Sequence, residues 1–286
     1  MRRASVFGGL LLSTKFIALL AGLLGATSSA FGQNYLAIPE GAGTPRASIY
    51  AFEDEIDVIG IRLGDTLGDV DRITIELQKE HGANISGLPN EQYTSATSRN
   101  GRIVGRYSYF EGATIKISQP GITEALEIGF GTPASGSLVD FINRYITYGA
   151  DKTPSEPSTM EAVRQKYGEP SYLTLAGGTS MSNSLFYIWF DGELLAPMNK
   201  DEFYGAPYKC LQYGGGPYRY EHGIDLPEGC TAILSILVTL DKDGRVSRFS
   251  QMLFSGSRHH EDRLRTDEAI TADINRTMTG GDLPRL

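Results

Sequence analysis

The chain has 286 residues, with 26 Lys and Arg against 34 Asp and Glu, a formal net charge of −8 and two cysteines. Nucleic-acid and anionic-lipid binding need clustered cations, and no basic run exists here, so both classes are excluded as partners. The length suits one large or two small domains with a real core.

The N-terminus reads as an export signal. Arg2, Arg3 and Lys15 precede an apolar run from Phe16 to Ala26, too short to span a bilayer. Small residues then offer cleavage after Ala30 or after Gly32, with an uncleaved anchor as the competing reading. No cysteine lies near the cleavage site, which argues against a lipid anchor. Removing residues 1–32 removes three cations and no acid, which takes the formal charge from −8 to −11. No later apolar run is long enough to cross a membrane. The expected location is the periplasm or the exterior, and the sequons at Asn84 and Asn275 matter only in a eukaryotic secretory pathway.

Residues 33–53 have no clear period. Glu55 to Ile61 reads as a strand entering a helix whose cap is Thr66 with Asp69, whose stripe is Val70, Ile73 and Leu77, and whose stop is Gly82. Residues 83–92 read as polar and turn-rich. The period then becomes two: Tyr93–Thr97, Arg102–Phe110, Ala113–Ser118, Ala125–Phe130 and Leu138–Tyr148, with turns at Asn100-Gly101 and Glu111-Gly112. These predict an antiparallel meander.

Residues 149–157 read as a linker. Beyond it a second helix is predicted, with Ser158 and Glu161 as a capping box. Its stripe is Met160, Val163 and Tyr167, and it stops at Gly168 and Pro170. Strands follow at Tyr172–Ala176, Leu185–Phe190, Thr231–Leu240 and Arg245–Phe254. The last two form a hairpin around Asp241–Gly244, and Glu261 to Met278 reads as a helix with Leu264, Ala269, Ile270 and Ile274 on one face. The expected fold is α+β. Two helix-plus-antiparallel-sheet halves, residues 33–150 and 151–256, are followed by a C-terminal helix and tail at 257–286, and the halves are free to share one continuous sheet.

Gly64-Asp65-Thr66 with Val70, and Gly168-Glu169-Pro170, resemble the helix start and stop of the β-lactamase-inhibitor-protein-like family, which includes BamE. That resemblance implies repeat modules of a helix followed by a small antiparallel sheet, with binding across the sheet face.

Cys210 and Cys230 read as a disulfide in an oxidising compartment, against the alternative of one reactive thiol. Closing a loop of about 20 residues would contribute roughly 3 kcal/mol. Tyr204, Tyr208, Tyr213, Tyr218 and Tyr220 lie among glycines and prolines in the same insertion. Such a loop suits recognition, because tyrosine gives much contact area for few frozen torsions; alternatively it packs as a lid over the sheet.

No catalytic signature emerges. Ser135 lacks the flanking glycines of a nucleophile elbow. Asp241–Gly244 lacks the twelfth-position carboxylate of a calcium loop, where Met252 stands. His259 and His260 point about 100° apart on a helix, which suits a solvated cluster better than one metal. No cofactor or metal is expected. The function expected is that of an exported, non-enzymatic protein that binds a protein or an envelope polymer. The alternatives are a hydrolase acting on an envelope polymer and a structural or stress-related envelope protein without a single ligand.

Overall fold

A computed structural model describes residues 36–40, 56–81, 84–97, 103–175, 184–191, 201, 210 and 232–277. The leader at 1–32, Cys230 and the five insertion tyrosines lie outside the described residues. Leu36–Leu286 cluster as one unit.

The elements in order are β1 (Leu36–Ala37), β2 (Asp57–Val58), β3 (Ile61–Arg62), α1 (Leu67–His81), β4 (Asn84–Thr97), β5 (Ile103–Gln119), β6 (Ile122–Phe130), and a 3₁₀ turn (Pro133–Ser135). They continue with β7 (Val139–Tyr148), α2 (Glu156–Tyr167), β8 (Tyr172–Leu175), β9 (Ser184–Asp191), β10 (Ala232–Leu240), β11 (Val246–Ser255) and α3 (Gly256–Thr277). The fold is α+β. Nine strands form one sheet along β1-β5-β6-β7-β11-β10-β9-β8, with β4 paired to the outer side of β5.

The order carries an internal pattern. α1 is followed by the meander β4-β5-β6-β7 and α2 by the meander β8-β9-β10-β11, and the two last strands pair antiparallel, Ile142 opposite Leu253. The sheet is therefore laid out symmetrically about the β7–β11 seam. Among the described residues no helix is long and apolar enough to cross a membrane.

Each helix starts where a side chain caps it. At α1, Thr66 Oγ1 accepts from the Asp69 amide and Asp69 Oδ2 accepts from the Thr66 amide, a reciprocal capping box. At α2 the cap is Ser155 rather than the expected Ser158: Ser155 Oγ accepts from the Ser158 amide, and Pro157 stands inside the first turn. Proline fits there because that amide has no intrahelical partner and its φ is already helical. Met160 and Val163 are buried as expected, and Val70 and Ile73 play the same part on α1.

Gly168 ends α2, its amide donating to the Arg164 carbonyl at 2.8 Å. Its φ of 76° and ψ of −168° lie in a region essentially confined to glycine, although no atom would meet an added Cβ. Gly168→Ala should therefore cost about 1–3 kcal/mol through backbone strain alone. Urea unfolding checks this, and an unchanged midpoint would refute it.

Three local expectations are corrected. Residues 84–92 are strand rather than turn, because β4 pairs with β5 from Asn84 opposite Ser118 to Thr97 opposite Ile103. Glu111-Gly112 is not a turn but a bulge within one 17-residue strand: Asn90 faces Gly112 and Glu91 faces Phe110, leaving Glu111 as the extra residue. Ile56 to Ile61 is no single strand, since Ile59 and Gly60 turn the chain between β2 and β3 with φ of 50° and 88°. The Asp241–Gly244 hairpin is present as expected, with Asp241 Oδ1 accepting from the amides of Asp243 and Arg245. At Asn100-Gly101 the strands on either side pair, and the turn itself lies outside the described residues.

The main core fills the face of the sheet that α1 and α2 cover, with Val70, Met160, Leu126, Ile142, Leu234, Ile236 and Leu253 among its members. Its register places three polar groups in this apolar layer. Arg144 Nε lies 2.7 Å from Glu124 Oε1. Gln251, directly opposite Arg144, donates to Tyr167 Oη, which in turn donates to the Asp57 carbonyl. Lys166 holds the Asp57 carboxylate at 2.8 Å. Burial raises the Asp57 pKa, but Lys166 and the Gly60 amide outweigh it and hold it below the usual carboxylate value. These bonds tie α2 to the β2–β3 hairpin and to the seam of the sheet.

Candidate functional site

The other face of the sheet is read from its register, because directly paired residues share a face. One row runs Gly112, Gly129, Phe141, Phe254, Ile233 and Phe190. The next runs Thr114, Glu127, Asn143, Met252, Ser235 and Ile188, and the third Lys116, Ala125, Tyr145, Ser250, Leu237 and Phe186. The first row is apolar and covered: Phe141, Phe190, Ile233 and Phe254 cluster with Ile188 and with Cys210, which is fully buried. The other two rows open progressively to solvent, and Tyr145 is 41% exposed in the middle of the sheet.

Around Tyr145 the chemistry is specific. Asn143 lies two residues earlier on the same strand, and its amide nitrogen donates to Tyr145 Oη. Asn143 is itself 9% exposed, and its Oδ1 is buried without a hydrogen-bond partner. Glu127 sits directly across the ladder from Asn143 and is exposed. Burial raises the Tyr145 pKa, and the Glu127 charge raises it further. A partly exposed tyrosine and an exposed carboxylate thus share one patch, with the Asn143 amide buried beside them.

A second polar group lies at the root of α3. Asp262 Oδ1 accepts from the Thr132 amide at 2.7 Å, from Thr132 Oγ1 at 2.8 Å and from Ser135 Oγ at 2.5 Å. Thr132 Oγ1 lies 2.6 Å from Thr266 Oγ1. His259 Nδ1 lies 3.2 Å from Asp140 Oδ2, with both side chains buried. Asp140 is the extra residue of a β-bulge, since Gly129 faces Phe141 and Phe130 faces Val139. The expected solvated histidine pair is corrected: His259 is buried, because Asp140 supplies a partner from 119 positions away. The buried face of α3 is His259, Asp262, Thr266, Ile270 and Ile274, and the helix begins at Gly256. Leu264, expected on that face, is 48% exposed.

These hydrogen bonds fasten α3 to the turn at Thr132–Ser135. Ser135 has one hydroxyl hydrogen, and its shortest contact commits that hydrogen to Asp262. The adjoining cleft between Asp140, Arg258, Glu261 and Asp262 has a volume of about 20 Å³, room for one or two waters. Among the described residues no three His, Cys, Asp or Glu side chains are grouped to hold a metal.

Of the residues singled out in the sequence, Cys210 is fully buried and clusters with Phe141, Ile188, Phe190, Ile233 and Phe254 of the sheet. Tyr204, Tyr208, Tyr213, Tyr218, Tyr220 and Cys230 lie outside the described residues. The patch formed by Glu127, Asn143 and Tyr145 escaped sequence reasoning. The signal for it was present in the period of two that puts Asn143 and Tyr145 on one face of β7. No protein-family model matches this chain, and no curated protein matches it.

Proposed function

We propose that this is an exported, non-enzymatic binding protein that recognises a protein or an envelope polymer across the uncovered face of its sheet. The observation that carries the reading is the open middle of that face, where Tyr145 stands exposed while the opposite face is filled by helices. A half-exposed tyrosine on a rigid strand presents contact area at little entropic cost.

Two further observations support it. A helix followed by four antiparallel strands occurs twice, the arrangement that resemblance to the β-lactamase-inhibitor-protein-like family implies. Cys210 is buried against the first row of the same face, and no described cysteine is a free thiol, which supports the reading of Cys210 and Cys230 as a disulfide. The leader-like N-terminus supports export. The hydrolase reading has weaker support, because the buried polar residues at α3 surround a cleft of water size.

In the intact exported protein, a photocrosslinking residue at Tyr145 should capture a specific partner. The same residue at Glu76, exposed on α1, should not. Capture from both positions alike, or from neither, would overturn the reading.

A further inference from the structure

Resting on that reading, we propose that the open face takes a polysaccharide strand bearing sparse carboxylates, laid across the β-strands along a row of hydroxyls. The row lies next to that of Tyr145 and runs Ser118, Thr123, Thr147, Arg248, Thr239 and Ser184, one residue from each of β5, β6, β7, β11, β10 and β9. Five of these six carry a hydroxyl. Ser118, Thr123 and Thr147 are exposed on consecutive strands, and Thr239 is half-buried. Ser184 is buried, its oxygen 3.2 Å from that of Thr239. Neighbouring strands lie about 4.8 Å apart, so the row is about 24 Å long and can follow a short oligosaccharide.

The chemistry of this surface suits sugar better than protein. A serine or threonine hydroxyl both donates and accepts, as a sugar hydroxyl does, so the two pair in either sense. Tyr145, 41% exposed beside Thr147, offers an apolar ring for the C–H face of a pyranose and a polar tip at its edge. Protein interfaces are built differently, with serine and lysine depleted; here Ser118, Ser250 and Lys116 stand in the two open rows. The carboxylates follow from Lys116 and Arg248. Both are exposed, they lie on opposite sides of β7, and among the described residues neither is held in an ion pair. Glu127 in the row beyond, and the net charge of −8, work against a dense polyanion, so the charges met on the polymer are few.

The probes are three oligomers titrated into the intact exported protein and followed by NMR. They are a hyaluronan octasaccharide, with a carboxylate on every second sugar, a neutral chitin hexasaccharide, and a polyglutamate of the same charge as the first. The hyaluronan oligomer should shift the backbone amides of Thr123, Tyr145 and Thr147 saturably, the chitin oligomer more weakly, and polyglutamate hardly at all. Tyr145→Leu, Arg248→Gln and the double variant Thr123→Val with Thr147→Val should each weaken the hyaluronan oligomer about fivefold, whereas Glu76→Gln on α1 should leave it unchanged. Valine keeps the branched shape and strand preference of threonine, so the double variant removes hydroxyls and leaves the sheet intact. Polyglutamate binding as tightly as hyaluronan, binding that survives the double variant, or no shift at this face with either oligosaccharide would overturn the proposal. The crosslink at Tyr145 separates the two levels. A captured protein with no response to either oligosaccharide removes the polysaccharide and leaves the binding function, whereas no capture and no response removes both.

Discussion

Asp262→Ala should destabilise the protein by about 3–5 kcal/mol. One carboxyl oxygen accepts three hydrogen bonds, and the donors come from a loop 127 to 130 positions away. Alanine leaves the buried Thr132 amide without an acceptor and takes the shared carboxylate from the Thr132 and Ser135 hydroxyls, which keep only Thr266 Oγ1 and the Thr132 carbonyl. Each buried donor left unmade costs about 1–3 kcal/mol, and the space vacated is too confined for more than one or two waters. Thr266→Val removes only the outer member of the network, so about 1 kcal/mol is expected there. Asp262→Asn should fall between the two, since the amide keeps one acceptor but presents its NH₂ to donors. Urea unfolding of the three variants tests the ranking. Asp262→Ala losing no more than Thr266→Val would show that the loop and α3 are held by something else.

Gly112→Ala should cost about 3–5 kcal/mol for a steric reason. A Cβ at this position would lie 2.1 Å from the Ile128 carbonyl oxygen and 3.2 Å from Gly129 Cα. Both obstacles are backbone of the neighbouring strand, so no rotamer change relieves them. The β5–β6 ladder has to part where Gly112 faces Gly129, directly after the bulge at Glu111. Loss of the amide protection of β5 and β6 in hydrogen exchange, beyond that of β10 and β11, would localise the damage. A variant within about 1 kcal/mol of the parent would mean that the strands can separate there at little cost.

These two sites show what could and could not be read in the chain. The helices were legible because their spacing is local: Met160, Val163 and Tyr167 recur at helical period, and Gly168 and Pro170 forbid continuation. Most strands were legible from their period of two. Residues 84–92 were not, since Gly87, Pro89 and Asn90 are turn formers by propensity, and only pairing with β5 makes them strand. The polar face of α3 was hidden for a different reason. His259, Asp262 and Thr266 recur at helical spacing, but their partners Asp140 and Thr132 lie on another element. The Glu127–Asn143–Tyr145 patch needed the β6–β7 register, which alternation along a single strand does not supply.

The seam between β7 and β11 sets the order in which the molecule can be completed. β7 ends at Tyr148, and the strand that covers its outer edge begins only at Val246. A chain emerging from its N-terminus therefore holds a long, largely apolar strand with one unsatisfied row of amides and carbonyls until nearly the whole sequence has been delivered. Closing that gap is a late, long-range event, which slows folding and leaves an adhesive edge exposed in the meantime. The step that buries the edge also finishes the face on which Asn143 and Met252 stand side by side. Half-built molecules are thus both sticky and without the assembled surface, and assistance by a holding chaperone would matter most in the interval between the two strands.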